Sequence, residues 1–233
     1  MRLRASTPNQ GRTAREPALI LLAVVAAAAA DDVLAGTQQY EPLAASVQVA
    51  LHDSVADQAS TRLAFATPED GRAWLASMSR RLQAQIPDEK SRTDFLTTVH
   101  YEASRAGLDP QLVLGVIDVE SRFRKYAVSN AGARGYMQVM PFWVELIGNA
   151  EHNLFNLRTN LRYGCVILRH YLDMERGDLY RALARYNGSL ASNSTYATRV
   201  VKTWQQRWSL APRRVTTVKA GQSQSLRYMG EAR

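Results

Sequence analysis

From Ser91 to Trp208 the apolar residues recur three and four positions apart, and the segments that carry them are closed by proline or glycine. That spacing commits the stretch to packed helices. Phe95, Val99 and Ala103 mark one, ended by the break from Gly107 to Pro110. Asp109 and Pro110 suit the cap and first position of a second helix, with Leu112, Val113, Val116 and Ile117 as its buried stripe. Leu157, Leu161, Gly164, Leu168 and Leu172 form a third, in which Cys165 reads as a core thiol. Leu179, Ala182, Leu183 and Tyr186 form a fourth, closed by Asn187-Gly188. The expected fold class is mainly α, and the domain in which function should lie spans 91–208.

The flanks differ in kind. Arg2, Arg4, Arg12 and Arg15 precede an apolar run from Ala18 to Ala30, shorter than the roughly 18 to 20 residues that cross a bilayer. Residues 1–30 therefore read as a signal peptide with Ala28 and Ala30 at the cleavage site, a second cut being possible after Ala35 and an uncleaved anchor being the alternative. The protein is expected to be exported, to the periplasm or cell envelope, and to act as a monomer. Residues 31–67 lack sustained periodicity and read as a linker or loose helix that adds no chemistry. Trp74, Met78, Leu82 and Ile86, followed by Pro87, make 68–90 a helical extension. Residues 209–233, with Pro212, Arg213, Arg214, Lys219 and Arg227, read as a flexible basic tail.

With 29 Lys+Arg against 21 Asp+Glu, the chain suits an anionic polymer or surface. Zinc-finger spacing, an aromatic RNA-binding signature and long basic blocks are all missing, so nucleic acid is not expected. His52, His100, His152 and His170 have no metal-ligand spacing, and there is no G-x-S-x-G elbow or phosphate-cradling glycine loop. No cofactor and no metal are expected. A single cysteine excludes an internal disulfide.

One carboxylate breaks the pattern. Glu120 follows Val116 by four residues and Ile117 by three, which puts it on the core face of the second helix. Asp118 projects about 200° away around the axis and reads as a solvated surface charge. Glu120 also falls in the last helical turn, where the dipole's negative end and partial burial both oppose ionisation and lift the carboxyl toward the range of a general acid. A salt bridge to Arg122 or Arg124 at the edge of the core is the other reading. Further on, Ser129 to Pro141 holds two glycines, a hydroxyl and an amide, a segment that lets backbone approach a substrate while Ser129 and Gln138 offer hydrogen bonds. Tyr186, at the inner end of its helix, can bury its ring while its hydroxyl reaches a polar partner.

Glu120-Ser121, then Gly135-Tyr136-Met137-Gln138 with Met140-Pro141, then Asn160 and Gly164, then Tyr186-Asn187-Gly188, in this order and spacing, resemble the soluble lytic transglycosylase family. Its SLT domain has a lysozyme-like fold of the goose-type lysozyme kind. The resemblance covers about residues 95–207; each piece is weak alone and the constellation is specific. The departures are Tyr136, where the family usually has Leu, and Gly188-Ser189, where many members have Ala-Gly.

The resemblance implies peptidoglycan glycan strands as substrate, cut between N-acetylmuramic acid and N-acetylglucosamine with formation of a 1,6-anhydro ring. It implies Glu120 as sole catalytic residue, acid toward the leaving oxygen and then base toward the C6 hydroxyl. Substrate-binding roles pass to Ser129 and Gln138 as hydrogen bonders, Met137 as apolar wall and Tyr186 beside the Glu120 carboxyl, while Asn187 fixes its helix end. An envelope-spanning secretion or conjugation complex is the partner such an enzyme would serve. Two alternatives stay open: a hydrolytic lysozyme-type muramidase in which Asp109, Glu145 or Glu151 positions water, and a non-catalytic wall-binding assembly module.

Overall fold

The computed structural model describes residues 38–56, 63, 65–190 and 195–210. All of them fall within one compact unit, Val33–Arg233; a second unit, Met1–Asp32, contains none of them. The expected signal peptide, and the expected tail from residue 211 onward, lie outside the described residues.

The described chain is helical, with α1 (Ala45–Ala56), α2 (Pro68–Leu82), α3 (Glu89–Arg105), α4 (Pro110–Ser121), α5 (Phe142–Ile147), α6 (Leu157–Met174), α7 (Leu179–Asn187) and α8 (Tyr196–Thr203). A π-helical turn, Trp204–Trp208, prolongs α8. Among the described residues β-type pairing is confined to two isolated antiparallel bridges, Val128 with Arg134 and Arg134 with Val139.

Local signals set the helix starts. Thr67, Asp88, Asp109, Asn156 and Asp178 each accept a backbone N–H of the first turn of α2, α3, α4, α6 and α7, and Pro68 and Pro110 open their helices at a position whose N–H has no helical partner. Helix α2 stops at Leu82, four residues short of Ile86; Ile86 N still donates to Leu82 O at 2.9 Å, and Pro87 has no N–H with which to carry the helix on.

Helix α4 lies at the centre, with every residue from Leu112 to Ser121 buried. It packs against α3, α8 and the π turn, while α6 packs on α3 and α7, and α1 on α5 and α6. At Gly115 a Cβ would meet the Trp204 Cβ at 2.9 Å and its Cα at 3.1 Å, so the backbones touch there only because the residue is glycine. Trp208, Tyr163, Tyr186, Phe95, Met78 and Leu82 fill the interior. Each such side chain removed from water contributes about 1.5–3 kcal/mol.

Two expectations change. Asp118 is buried, its Oδ2 accepting Trp208 Nε1–H at 3.0 Å and pairing with Arg207 at 2.8 Å. The two-faced reading of α4 fails because α8 and the π turn cover the side assumed to face water. The segment expected as a linker or loose helix contains α1, and α1 is docked. Arg162 Nη1 donates to Val55 O at 3.2 Å and Arg105 to Ser54 O, capping carbonyls at the end of α1. Both arginines share Glu102, whose carboxylate is 1% exposed and meets Arg162 at 2.9 Å and Arg158 at 3.2 Å.

Candidate functional site

The end of α4 carries the central carboxylate. Arg122 (φ 51°) and Phe123 (φ 63°) take left-handed conformations and turn the chain away immediately after Ser121. Glu120 is left one residue from the end, 1% exposed. Its Oε1 accepts the hydroxyl of Tyr196 at 2.5 Å, and its Oε2 is buried with no hydrogen-bond partner among the described residues. Burial pushes the carboxyl up to about 8, outweighing the Tyr196 hydrogen bond and the positive charge of Arg199, both of which pull it down. Arg124 donates to the Ser121 carbonyl at 3.1 Å.

These facts define a protonation state. Near neutral pH Glu120 holds its proton, and with Oε1 occupied as acceptor for Tyr196 the acidic hydrogen belongs on Oε2. Burial holds the Tyr196 phenol well above 10, so Tyr196 keeps its own hydrogen. Such a carboxyl, held in one orientation with its second oxygen shielded from water, has the chemistry to donate a proton.

The turn from Gly135 to Met140 packs beside this acid. Ser121 Oγ donates to Tyr136 O at 2.7 Å, tying the turn to the residue next to Glu120. Asn160 on α6 pins it from below: Oδ1 accepts Met137 N at 2.8 Å, and Nδ2 donates to Arg134 O and Leu154 O, each at 2.8 Å. Gln138 adopts a left-handed conformation (φ 50°), and its Nε2 bridges Ala127 O at 3.1 Å and Gly135 O at 2.9 Å. Met137 is fully buried against Gly164, where a Cβ would lie 2.4 Å from the Met137 sulfur.

Of the residues singled out in the sequence, Met137, Gln138 and Tyr186 come together directly. The Tyr186 hydroxyl donates to Met137 O at 2.8 Å, while burial and the nearby charge of Glu120 push its phenol well above 10. Asn187 is buried as the last residue of α7, before the left-handed Gly188. Ser129 is half-buried at the head of the loop, its Oγ accepting Ala133 N at 3.1 Å. The phenol hydrogen-bonded to Glu120 is that of Tyr196, which the sequence reading passed over; its spacing from Val200 is that of any packing tyrosine.

Elsewhere, burial pushes the Cys165 thiol well above 9, a setting for an inert core cysteine. Among the described residues no group of three or more His, Cys, Asp or Glu side chains is placed to hold a metal ion. A cavity of about 600 Å³ between α1, α3 and α6, lined in part by Ser46, Ala50, Arg105 and His170, contains none of the residues discussed above for the site.

Residues 97–208 match the family described as Transglycosylase SLT domain. The Transglycosylase of Enterobacteria phage PRD1 is 32% identical over 111 residues, which cover 45% of this chain and 41% of that protein. The Membrane-bound lytic murein transglycosylase C of Actinobacillus pleuropneumoniae serotype 5b (strain L20) is 51% identical over 47 residues, 20% of this chain and 13% of that one. The chain thus spans less than half the length of either relative. Among solved structures, an inactive mutant of the lytic transglycosylase Slt from Pseudomonas aeruginosa matches with a TM-score of 0.37 and 21% identity, over 48% of this chain and 22% of that one.

Proposed function

Because residues 97–208 belong to the transglycosylase SLT family, we propose that this chain cleaves peptidoglycan as a lytic transglycosylase with Glu120 as its acid and base. The observation that carries the reading is the Glu120 carboxyl itself: buried, raised to about 8, bonded at Oε1 by Tyr196 and, among the described residues, unpartnered at Oε2. Names of relatives at 32% and 51% identity, both transglycosylases and one a murein transglycosylase, support the substrate class.

In the proposed reaction Oε2–H protonates the glycosidic oxygen between N-acetylmuramic acid and N-acetylglucosamine as its bond to C1 breaks. The N-acetyl carbonyl of the muramic residue stabilises the positive C1. The C6 hydroxyl oxygen then closes on C1 and its proton returns to Glu120, so the enzyme regains its starting state and no water is consumed. Tyr196 holds the carboxyl in place through both transfers, and Tyr186 fixes the turn beside it.

For substrate contacts, Ser129 has its hydroxyl hydrogen to offer a sugar. Gln138 is 1% exposed and its Nε2 is committed to Ala127 and Gly135, which leaves only Oε1 for a sugar. Met137 supports the wall from beneath and Asn187 fixes the end of α7.

A water-positioning second carboxylate is less well supported. Asp109 caps the opposite end of α4, about 17 Å from Glu120 by helical rise, against the roughly 5–9.5 Å that separates glycosidase carboxylates. Glu145 and Glu151 have exposed side chains. For localisation, export through the Arg-rich leader remains the proposal; among the described residues no helix is long and apolar enough to cross a membrane.

Digestion of purified cell walls tests the function. The wild type is expected to release soluble fragments and E120Q, of equal size and unable to transfer the proton, to release none. A folded wild type that leaves walls intact would support the non-catalytic module instead.

A further inference from the structure

The segment before α1 reaches into the site. Gln38 is 4% exposed although it stands well ahead of the matched span 97–208. Its Oε1 accepts Met140 N at 3.2 Å and its Nε2 donates to Gln138 O at 3.4 Å, so one amide closes the backbone of the turn as a neighbouring strand would. Flanking contacts seat the segment: Tyr40 meets Phe142 edge-on at 5.8 Å, and Glu41 pairs with Arg185 of α7 at 3.1 Å.

We propose that Gln38 is a positioning residue of the Glu120 site, and that the segment before α1 completes a turn the SLT domain does not hold alone. The chain of contacts is short. Gln38 holds Gln138 and Met140; just before them Met137 O receives Tyr186; and Tyr136 O receives Ser121, the neighbour of Glu120. Gln138 needs such a hold, since its left-handed conformation is strained for a residue with a side chain. Loss of the amide frees the turn, and with it Tyr186 and the wall beside the acid. The proposal rests on the transglycosylase reading for its kinetic test, and has a second readout that does not.

On purified walls, Q38A is expected to lower the saturating rate by about tenfold to a hundredfold, the usual cost of sub-ångström misplacement, with the half-saturating wall concentration within about twofold of wild type. Q38E keeps the acceptor for Met140 N but donates to Gln138 O only when protonated. Its rate relative to wild type should therefore rise as pH falls through the carboxyl's titration. Without substrate, hydrogen exchange at the Met140 amide should quicken in Q38A while the amides of α4 keep their protection. Wild-type rates and wild-type Met140 exchange in both variants would overturn the proposal, as would a flat Q38E ratio with pH. An inert wild type would instead count against the transglycosylase reading, and amide exchange would still decide the role of Gln38.

Discussion

The hydroxyl of Tyr196, 76 positions along the chain, lies 2.5 Å from Glu120 Oε1 and gives the Glu120 carboxyl its only hydrogen bond among the described residues. The bond favours the ionised carboxylate, partly offsetting burial. If Glu120 is the acid proposed above, wild-type activity should fall as pH rises through about 8, where its carboxyl loses its proton. In Y196F the carboxyl loses a stabilising donor, so this alkaline limb should move to higher pH. The plateau should also drop about tenfold or more, because the acid is no longer held in one orientation. Rate profiles of both proteins on the same walls check both effects.

Glu120 should also shape stability. In the unfolded chain its carboxyl titrates near 4.5, and in the folded protein near 8. Below 4.5 both states hold the proton. Between these values the unfolded chain releases it while the folded protein keeps it, so this group's contribution to stability declines as pH rises and levels off above about 8. E120Q lacks the titration. Its stability relative to wild type should therefore increase from pH 4.5 to 8, by roughly 1.4 kcal/mol per pH unit at most. Denaturant unfolding of the two proteins across that range measures the difference, and a constant difference contradicts it.

Gly164 permits the close contact between α6 and the Met137 turn. A Cβ there would lie 2.4 Å from the Met137 sulfur and 2.8 Å from its Cβ. G164A should destabilise the protein by about 1–3 kcal/mol through overpacking. It should also lower the rate per folded molecule, because Met137 carries the carbonyl that receives Tyr186. Unfolding curves and wall digestion together separate the two losses.

Glu102 joins three arginines of α3 and α6, one of which also caps the end of α1 through Val55 O. E102A leaves the guanidinium of Arg162 buried without its carboxylate, and should cost about 3–5 kcal/mol. Glu102 lies off the turn beside Glu120, so the rate of E102A per folded molecule should stay near wild type. A small stability loss would mean that water takes over the carboxylate's place.

Part of the candidate site's geometry is legible before any coordinates. Glu120 announces itself because a carboxylate on a run of valines and isoleucines needs a reason, and the polar stretch from Arg122 to Tyr126 marks where its helix ends. Asp118 misleads because amphipathic reasoning assumes one wet face, whereas α4 is enclosed and the acid is met by Trp208 and Arg207. Tyr196 gives no signal, since burial and partner depend on how α8 folds back on α4. Gln38 is silent for a different reason: a polar side chain that binds backbone leaves no hydrophobic pattern, and residues 31–67 therefore look like a linker. The short α5 and the π turn have too few residues for periodicity to mark them.

The most direct test is the mass of the muropeptides released from purified walls by the wild-type protein. Proton return from the C6 hydroxyl to Glu120 predicts muramic ends in the 1,6-anhydro form, one water lighter than the hydrolysed product, and none from E120Q. Reducing muramic ends from the wild type, or anhydro ends released equally by E120Q, would contradict it.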